Sequence, residues 1–218
     1  MTDTKTRQSI IDTCLLMEAK GVNRGTSGNI SVRTGDGMLI TPSALPYEKM
    51  TPQDIVHMGF DETTTGRRKP SSEWRFHLDI LRARPDINAV LHAHPTYCTS
   101  LAIMNRNIPA IHYMIAAAGG PNIRCAPYAT YGTPELSAHA LKALENRQAC
   151  LLAHHGAIFL GSSLDKALWL AVEVEALAQQ YLTCLQIGDP PVLSDAEIEK
   201  VCQKFASYGY GHGDTAAG

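Results

Sequence analysis

A chain of 218 residues with 19 basic and 21 acidic side chains is long enough for one domain with a sizeable core and too evenly charged to suit a nucleic-acid partner. Six dispersed cysteines without a C-x-x-C pair, and a start, Met1-Thr2-Asp3-Thr4-Lys5, without the apolar run of a secretory signal, point to a reduced, cytoplasmic protein with a small-molecule partner. The longest helical stretch is broken by Glu173 and Glu175, so no membrane-spanning role is expected.

In chain order, Ile10, Ile11, Cys14, Leu15 and Met17 have helical spacing within residues 4–20, and Gly21 is placed to cap that helix. Two short strands follow, Ile30–Arg33 and Met38–Thr41, joined through Gly35-Asp36-Gly37 as a hairpin, with a third at Ile55–Met58. Ser71-Ser72-Glu73 reads as a helix N-terminus, and that helix runs past Leu81 until Pro85 interrupts it. A strand from Ile87 to His94 ends at Pro95. Helices are expected near 95–104, 133–146 and 163–187, a strand at 149–155, and further strands near Ala110 and Ala126. The pattern is mixed α/β. No repeat or linker divides it, so residues 1–218 are read as a single domain.

Four residues have the makings of a metal site. Residues i and i+2 of a strand project from one face, so His92 and His94 can aim two imidazoles at one point. Of His154 and His155, at the end of the second buried strand, parity lets only one turn toward that point, and spacing does not say which. Glu73 adds a carboxylate. Three imidazoles and one carboxylate form the nitrogen and oxygen set that a divalent transition ion prefers, with a position left for substrate.

Three polar segments suggest an anion. In Asn23-Arg24-Gly25-Thr26-Ser27-Gly28-Asn29 the glycines let backbone N–H groups converge, while Thr26 and Asn29 add side-chain donors around Gly28. Neither a Walker A loop nor a G-x-G-x-x-G fingerprint is present, which argues against a nucleotide. Ser43 with Ala44, and Ser71 with Ser72 at a helix N-terminus, contribute further hydroxyls. Together the three segments favour a phosphate monoester. Tyr113, Tyr128 and Tyr131 lie among apolar neighbours, where most phenols only pack.

Longer runs carry a resemblance. Gly25-Thr26-Ser27-Gly28-Asn29-Ile30-Ser31-Val32-Arg33, Leu39-Ile40-Thr41-Pro42, Pro70-Ser71-Ser72-Glu73-Trp74-Arg75-Phe76-His77, the segment from Ile108 to Gly120, and Lys166-Ala167-Leu168-Trp169-Leu170-Ala171 make the chain resemble the class II L-fuculose-1-phosphate aldolases of the aldolase/adducin family. The resemblance implies a central, mostly antiparallel sheet flanked by helices in three layers. It also implies a cyclic homotetramer with active sites between subunits. By the same likeness His92, His94 and His155 are zinc ligands, with manganese or cobalt as alternatives, and Glu73 is both ligand and acid/base. Asn29, Ser43, Ala44, Ser71 and Ser72 are implied to hold phosphate, and Tyr113 to reach a neighbouring subunit's site.

The chain departs from the family pattern at Ser43-Ala44, where the relatives resemble Thr-Gly, and at Tyr131, where a Phe is the family residue. It departs also in a mobile tail, about 204–218, that contains Phe205 and Tyr208. Tyr131, Phe205 and Tyr208 are therefore assigned to the aldehyde end. The implied reaction is retro-aldol cleavage of L-fuculose 1-phosphate, or a 5-deoxypentulose 1-phosphate, to dihydroxyacetone phosphate and L-lactaldehyde or acetaldehyde. The alternatives are a 5-(methylthio)ribulose-1-phosphate aldolase and a sugar-phosphate epimerase or dehydratase on the same scaffold. No lysine lies in an apolar strand, which argues against a Schiff-base mechanism.

Overall fold

The computed structural model describes residues 3–207. Helix α1 (Asp3–Ala19) leads into strands β1 (Asn29–Arg33), β2 (Gly37–Ile40), β3 (Val56–Gly59) and β4 (Thr64–Thr65). Next come α2 (Trp74–Ala83), β5 (Ala89–Ala93), α3 (Thr96–Ile103) and β6 (Ile108–Pro109). A 3-10 turn at Tyr113–Ala118 precedes β7 (Asn122–Ala126) and α4 (Pro134–Ala143). The chain continues through β8 (Ala149–Leu152), β9 (Gly156–Gly161), α5 (Leu164–Leu185) and α6 (Asp195–Ser207).

The strands form one sheet in the order β4-β3-β2-β1-β5-β9-β8-β7-β6. Every neighbouring pair is antiparallel except β7 with β8. This is the mostly antiparallel α/β architecture expected from the resemblance.

Side-chain alternation assigns the two faces. On β5, Ala89, Leu91 and Ala93 join a core with α1, α3 and α5, whereas Val90 joins a second core with α2 and α4. Phe159 on β9 lies in the first and Ile158 in the second. Fully burying one such side chain stabilises the fold by about 1.5–3 kcal/mol. Truncating Phe159 to Ala costs more, roughly 3–5 kcal/mol, because a cavity remains.

Several boundaries differ from expectation. The buried run Gly156–Gly161 forms a further central strand, β9, which lacks the alternation that marks half-exposed strands. Strand β8 stops at Leu152, so His154 and His155 occupy the tight turn into β9 instead of a strand end. Lys204 to Ser207 are the last turn of α6, which places the start of the expected tail inside a helix. Residues 208–218, Tyr208 included, lie outside the described residues.

Candidate metal and substrate site

Three backbone devices bring four ligand-type side chains together. His92 sits on central strand β5, opposite Asn29 of β1 and Ile158 of β9. His94 follows two residues later, just past the strand. His155 is delivered by the β8–β9 turn, where its N–H donates to the Leu152 carbonyl at 3.0 Å and His154 takes the left-handed conformation (φ 55°). Turn geometry, not strand parity, therefore aims His155 inward. The turn also needs Gly156: a Cβ there would lie 2.6 Å from the His94 ring and 2.5 Å from the Ala93 carbonyl oxygen. Glu73 occupies the N-cap position of α2, but its side chain caps nothing and turns to the histidines instead.

One ligand atom from each of His92, His94 and His155 lies within 4.8 Å of the others. The rings meet edge to face, with interplanar angles of 71–78°, so the three imidazoles fan around a common point. His92 Nε2 is 3.1 Å from His94 Nε2 and 3.2 Å from Glu73 Oε2, and His155 Nε2 is 3.1 Å from Glu73 Oε1.

The protonation pattern suits a cation. His92 Nδ1 donates to the Ala157 carbonyl at 2.9 Å, which leaves Nε2 as the ring nitrogen facing the cluster. Glu73 Oε1 is buried and accepts no hydrogen bond of acceptable geometry, despite its closeness to His155. Such an orphaned carboxylate oxygen calls for a positive partner. Burial pushes the Glu73 carboxyl upward, but the neighbouring His92 and His155 outweigh it and hold the group well below the ordinary carboxylate range. Burial, reinforced by His92 and His155, pulls His94 down to about 4. A neutral imidazole beside an ionised carboxylate is the state that binds a divalent ion, so the residues fit the metal that the resemblance implies.

Beside this cluster lies a cavity of about 450 Å³, a size suited to a small metabolite. Thr26, Gly28, Asn29, Ser43, Ala44, Ser71 and Ser72 all line it, together with Glu73, His94 and His155. Two of the hydroxyl segments are held side by side. The Ser71 N–H donates to the Thr41 carbonyl at 2.9 Å, the Ser43 N–H donates to the Lys69 carbonyl at 3.1 Å, and Pro42 bridges Pro70. Gly28 has a packing reason for being glycine, because a Cβ there would meet the His92 carbonyl oxygen at 2.9 Å.

The aldehyde-end residues divide. Tyr131 lines the cavity and is 64% exposed. Phe205 does not, because it packs on the helical face of the first core. Tyr113 is 49% exposed and absent from the cavity wall of its own chain.

Other residues of the cavity and its surroundings were not assigned to the site from the sequence. Tyr128, Ala129 and His154 complete the wall near Tyr131. Behind it, fully buried His77 touches both Ser31 and Asn29. Spacing could have flagged these two: His77 follows Glu73 by four residues on α2, and Ser31 follows Asn29 by two on β1, so each shares a face with a site residue.

Comparison with known proteins bears on this arrangement. Residues 8–182 match the family model described as the class II aldolase and adducin N-terminal domain. The L-fuculose phosphate aldolase of Escherichia coli strain K12 is 59% identical over 206 residues, covering 94% of this chain and 96% of that protein. A 5-methylthioribulose-1-phosphate/5-deoxyribulose-1-phosphate aldolase of Rhodospirillum rubrum is 55% identical over 203 residues, covering 93% and 92%. A solved L-fuculose 1-phosphate aldolase superposes with a TM-score of 0.91 at 41% identity, covering 94% of this chain and 97% of that one.

Proposed function

This chain belongs to the class II aldolase and adducin family and is an aldolase, a carbon–carbon lyase, and from that premise we propose that it cleaves a ketose 1-phosphate, L-fuculose 1-phosphate or a 5-deoxypentulose 1-phosphate. The products are dihydroxyacetone phosphate and a short aldehyde, L-lactaldehyde or acetaldehyde. One observation carries the reading: His94, His155 and Glu73, which cluster with buried His92, line the same cavity as Thr26, Ser43, Ser71 and Ser72.

His92, His94 and His155 hold a divalent ion, zinc by the preference of this donor set, with Glu73 as an additional ligand in the resting enzyme. Such an ion supplies Lewis-acid stabilisation of the negative charge that develops as the carbon–carbon bond breaks. The phosphate rests against Asn29, Ser43, the backbone at Ala44, Ser71 and Ser72, where hydroxyls and the start of α2 favour an anion. Thr26 and Gly28 line the same end.

Cleavage moves one proton. The C4 hydroxyl loses its proton as the C3–C4 bonding electrons withdraw to the dihydroxyacetone phosphate half, and a proton is returned to C3. Glu73, ionised at rest, takes up one proton from solvent and delivers it to C3, and in the synthetic direction removes it. Tyr113, half exposed and outside its own cavity, assists loss of the C4 hydroxyl proton in a neighbouring subunit of a homotetramer, passing its phenolic proton to solvent as it accepts that one. The enzyme works in the cytoplasm, consistent with six free cysteines.

The aromatic wall of Tyr128 and Tyr131 favours a second substrate reading, in which the aldehyde half carries an apolar methylthiomethyl group. The deciding assay is dihydroxyacetone phosphate release from L-fuculose 1-phosphate, 5-deoxyribulose 1-phosphate and 5-methylthioribulose 1-phosphate. Release from none of the three overturns the aldolase assignment for this substrate class.

A further inference from the structure

A line of hydrogen bonds runs behind the cavity through groups that the proposed chemistry does not use. Ser31 Oγ lies 2.8 Å from His77 Nδ1, His77 Nε2 lies 2.5 Å from Asn29 Oδ1, and Asn29 Nδ2 donates to Glu73 Oε2 at 2.9 Å. Ser31 and His77 are fully buried. Water does not reach these two, whereas Asn29 and Glu73 line the cavity.

Every proton in this line is placed by its last acceptor. A carboxylate oxygen only accepts, so the Asn29 amide must turn its NH₂ toward Glu73. Oδ1 then faces His77 and also only accepts, so His77 carries its proton on Nε2. Nδ1 is left as a lone pair, which accepts from the Ser31 hydroxyl. A flipped Asn29 amide would set oxygen against carboxylate and NH₂ against the His77 Nε2–H, opposing like groups at both ends.

We propose that His77 is a positioning residue, whose Nε2–H locks the Asn29 amide so that one N–H of Nδ2 holds Glu73 while the other is kept for substrate in the cavity. The idea rests on the reading of Glu73 as the proton-transfer group. Without the lock, Asn29 can present its oxygen to both Glu73 and an anionic substrate, and Glu73 loses a donor that orients it. Buried hydrogen-bond networks of this kind are strongest when every member is satisfied, and Ser31 Oγ, both His77 nitrogens, Asn29 Oδ1 and Glu73 Oε2 each have a partner in this line.

The test compares His77→Gln, which keeps a donor near the Nε2 position, with His77→Leu, which removes it, in the full-length metal-loaded protein. His77→Leu is expected to lower kcat about 10–100-fold and to weaken divalent-ion affinity, measured by chelator competition. His77→Gln is expected to restore both to within about threefold. Equal losses in the two variants, or wild-type kcat and metal affinity in His77→Leu, overturn the proposal. Should His77→Leu fail to fold, nitrogen NMR of the imidazoles in the wild-type protein decides: an Nε2–H tautomer at His77 supports the lock and an Nδ1–H tautomer overturns it. The tautomer and the metal affinity are read without turnover. Loss of the aldolase reading, seen as wild-type protein that releases no dihydroxyacetone phosphate, is therefore distinguishable from loss of this one.

Discussion

His92 Nδ1 donates to the carbonyl oxygen of Ala157 across the β5–β9 pairing at 2.9 Å. The sheet itself thereby selects the imidazole tautomer whose Nε2 faces His94 and Glu73. Because the acceptor is backbone, no side-chain substitution on β9 removes it, and the site's most buried imidazole is oriented by the fold's central register.

Metal content provides the first prediction. His92→Ala and His155→Ala are expected to lose the bound divalent ion, whereas His154→Ala retains it, since only His155 shares the cluster. Elemental analysis of the purified variants checks this. Equal occupancy in His154→Ala and His155→Ala would contradict the assignment of the turn.

Glu73→Gln keeps the side-chain shape and removes the proton acceptor. A rate loss on the order of 10²–10⁴ is expected, with the fold retained. Exchange of the C3 hydrogen of dihydroxyacetone phosphate with deuterated water reads the step directly. Exchange as fast as wild type would mean that another residue moves the proton.

The acid side of the stability profile follows from two histidines. Burial pulls His77 down to about 3 and His94 to about 4, from an ordinary 6.5. Between those values and 6.5 the unfolded chain binds more protons than the folded one, so the stability these neutral rings permit is fully present above about 6.5 and is lost as pH falls. In metal-free protein the urea midpoint is expected to drop from pH 7.5 to 6.0 and again to 5.0. A flat profile over that range would contradict the neutral, buried state of both rings.

Much of this site was legible beforehand because its signals are local. The His92/His94 spacing, the hydroxyl pairs at Ser43 and at Ser71-Ser72, and the acid at the start of α2 each reside within a few residues. What escaped depends on tertiary contact. The choice between His154 and His155 is made by a turn whose φ of 55° no periodicity encodes. Strand β9 is buried on both faces and so reads as an undifferentiated apolar run. The packing of Phe205 on α6 against the core is likewise a tertiary contact that no local pattern encodes.

Asp54 anchors the segment that carries the second hydroxyl pair. Its carboxylate, 2% exposed, accepts from Arg67 and Arg68 at 3.0 and 2.9 Å and from the Thr51 N–H and hydroxyl at 2.9 and 2.8 Å. Asp54→Ala leaves those donors unpaired and is expected to cost about 2–3 kcal/mol. Arg68→Ala should cost less than about 1 kcal/mol, because that arginine is half exposed and Arg67 remains. Chemical denaturation compares them, and equal costs would show that the carboxylate is not the organising group. A raised KM for the phosphate substrate is expected to accompany Asp54→Ala.

Substrate preference is the last expectation, and it turns on Tyr131. This phenol lines the cavity with Tyr128 and Ala129, and no charged side chain stands among those three. An apolar wall discriminates weakly, by roughly 1–3 kcal/mol for each methylene-sized change. Tyr131→Ala is therefore expected to shift the ratio of kcat/KM between 5-methylthioribulose 1-phosphate and L-fuculose 1-phosphate by about tenfold, while metal content stays unchanged. Tyr131→Phe, which keeps the ring and drops the hydroxyl, separates the two chemical roles open to the side chain. If the ring alone sets preference, Tyr131→Phe matches wild type on both substrates. If the hydroxyl bonds a polar aldehyde half, Tyr131→Phe loses efficiency on L-fuculose 1-phosphate alone. A ratio unchanged in both variants would remove Tyr131 from the aldehyde end.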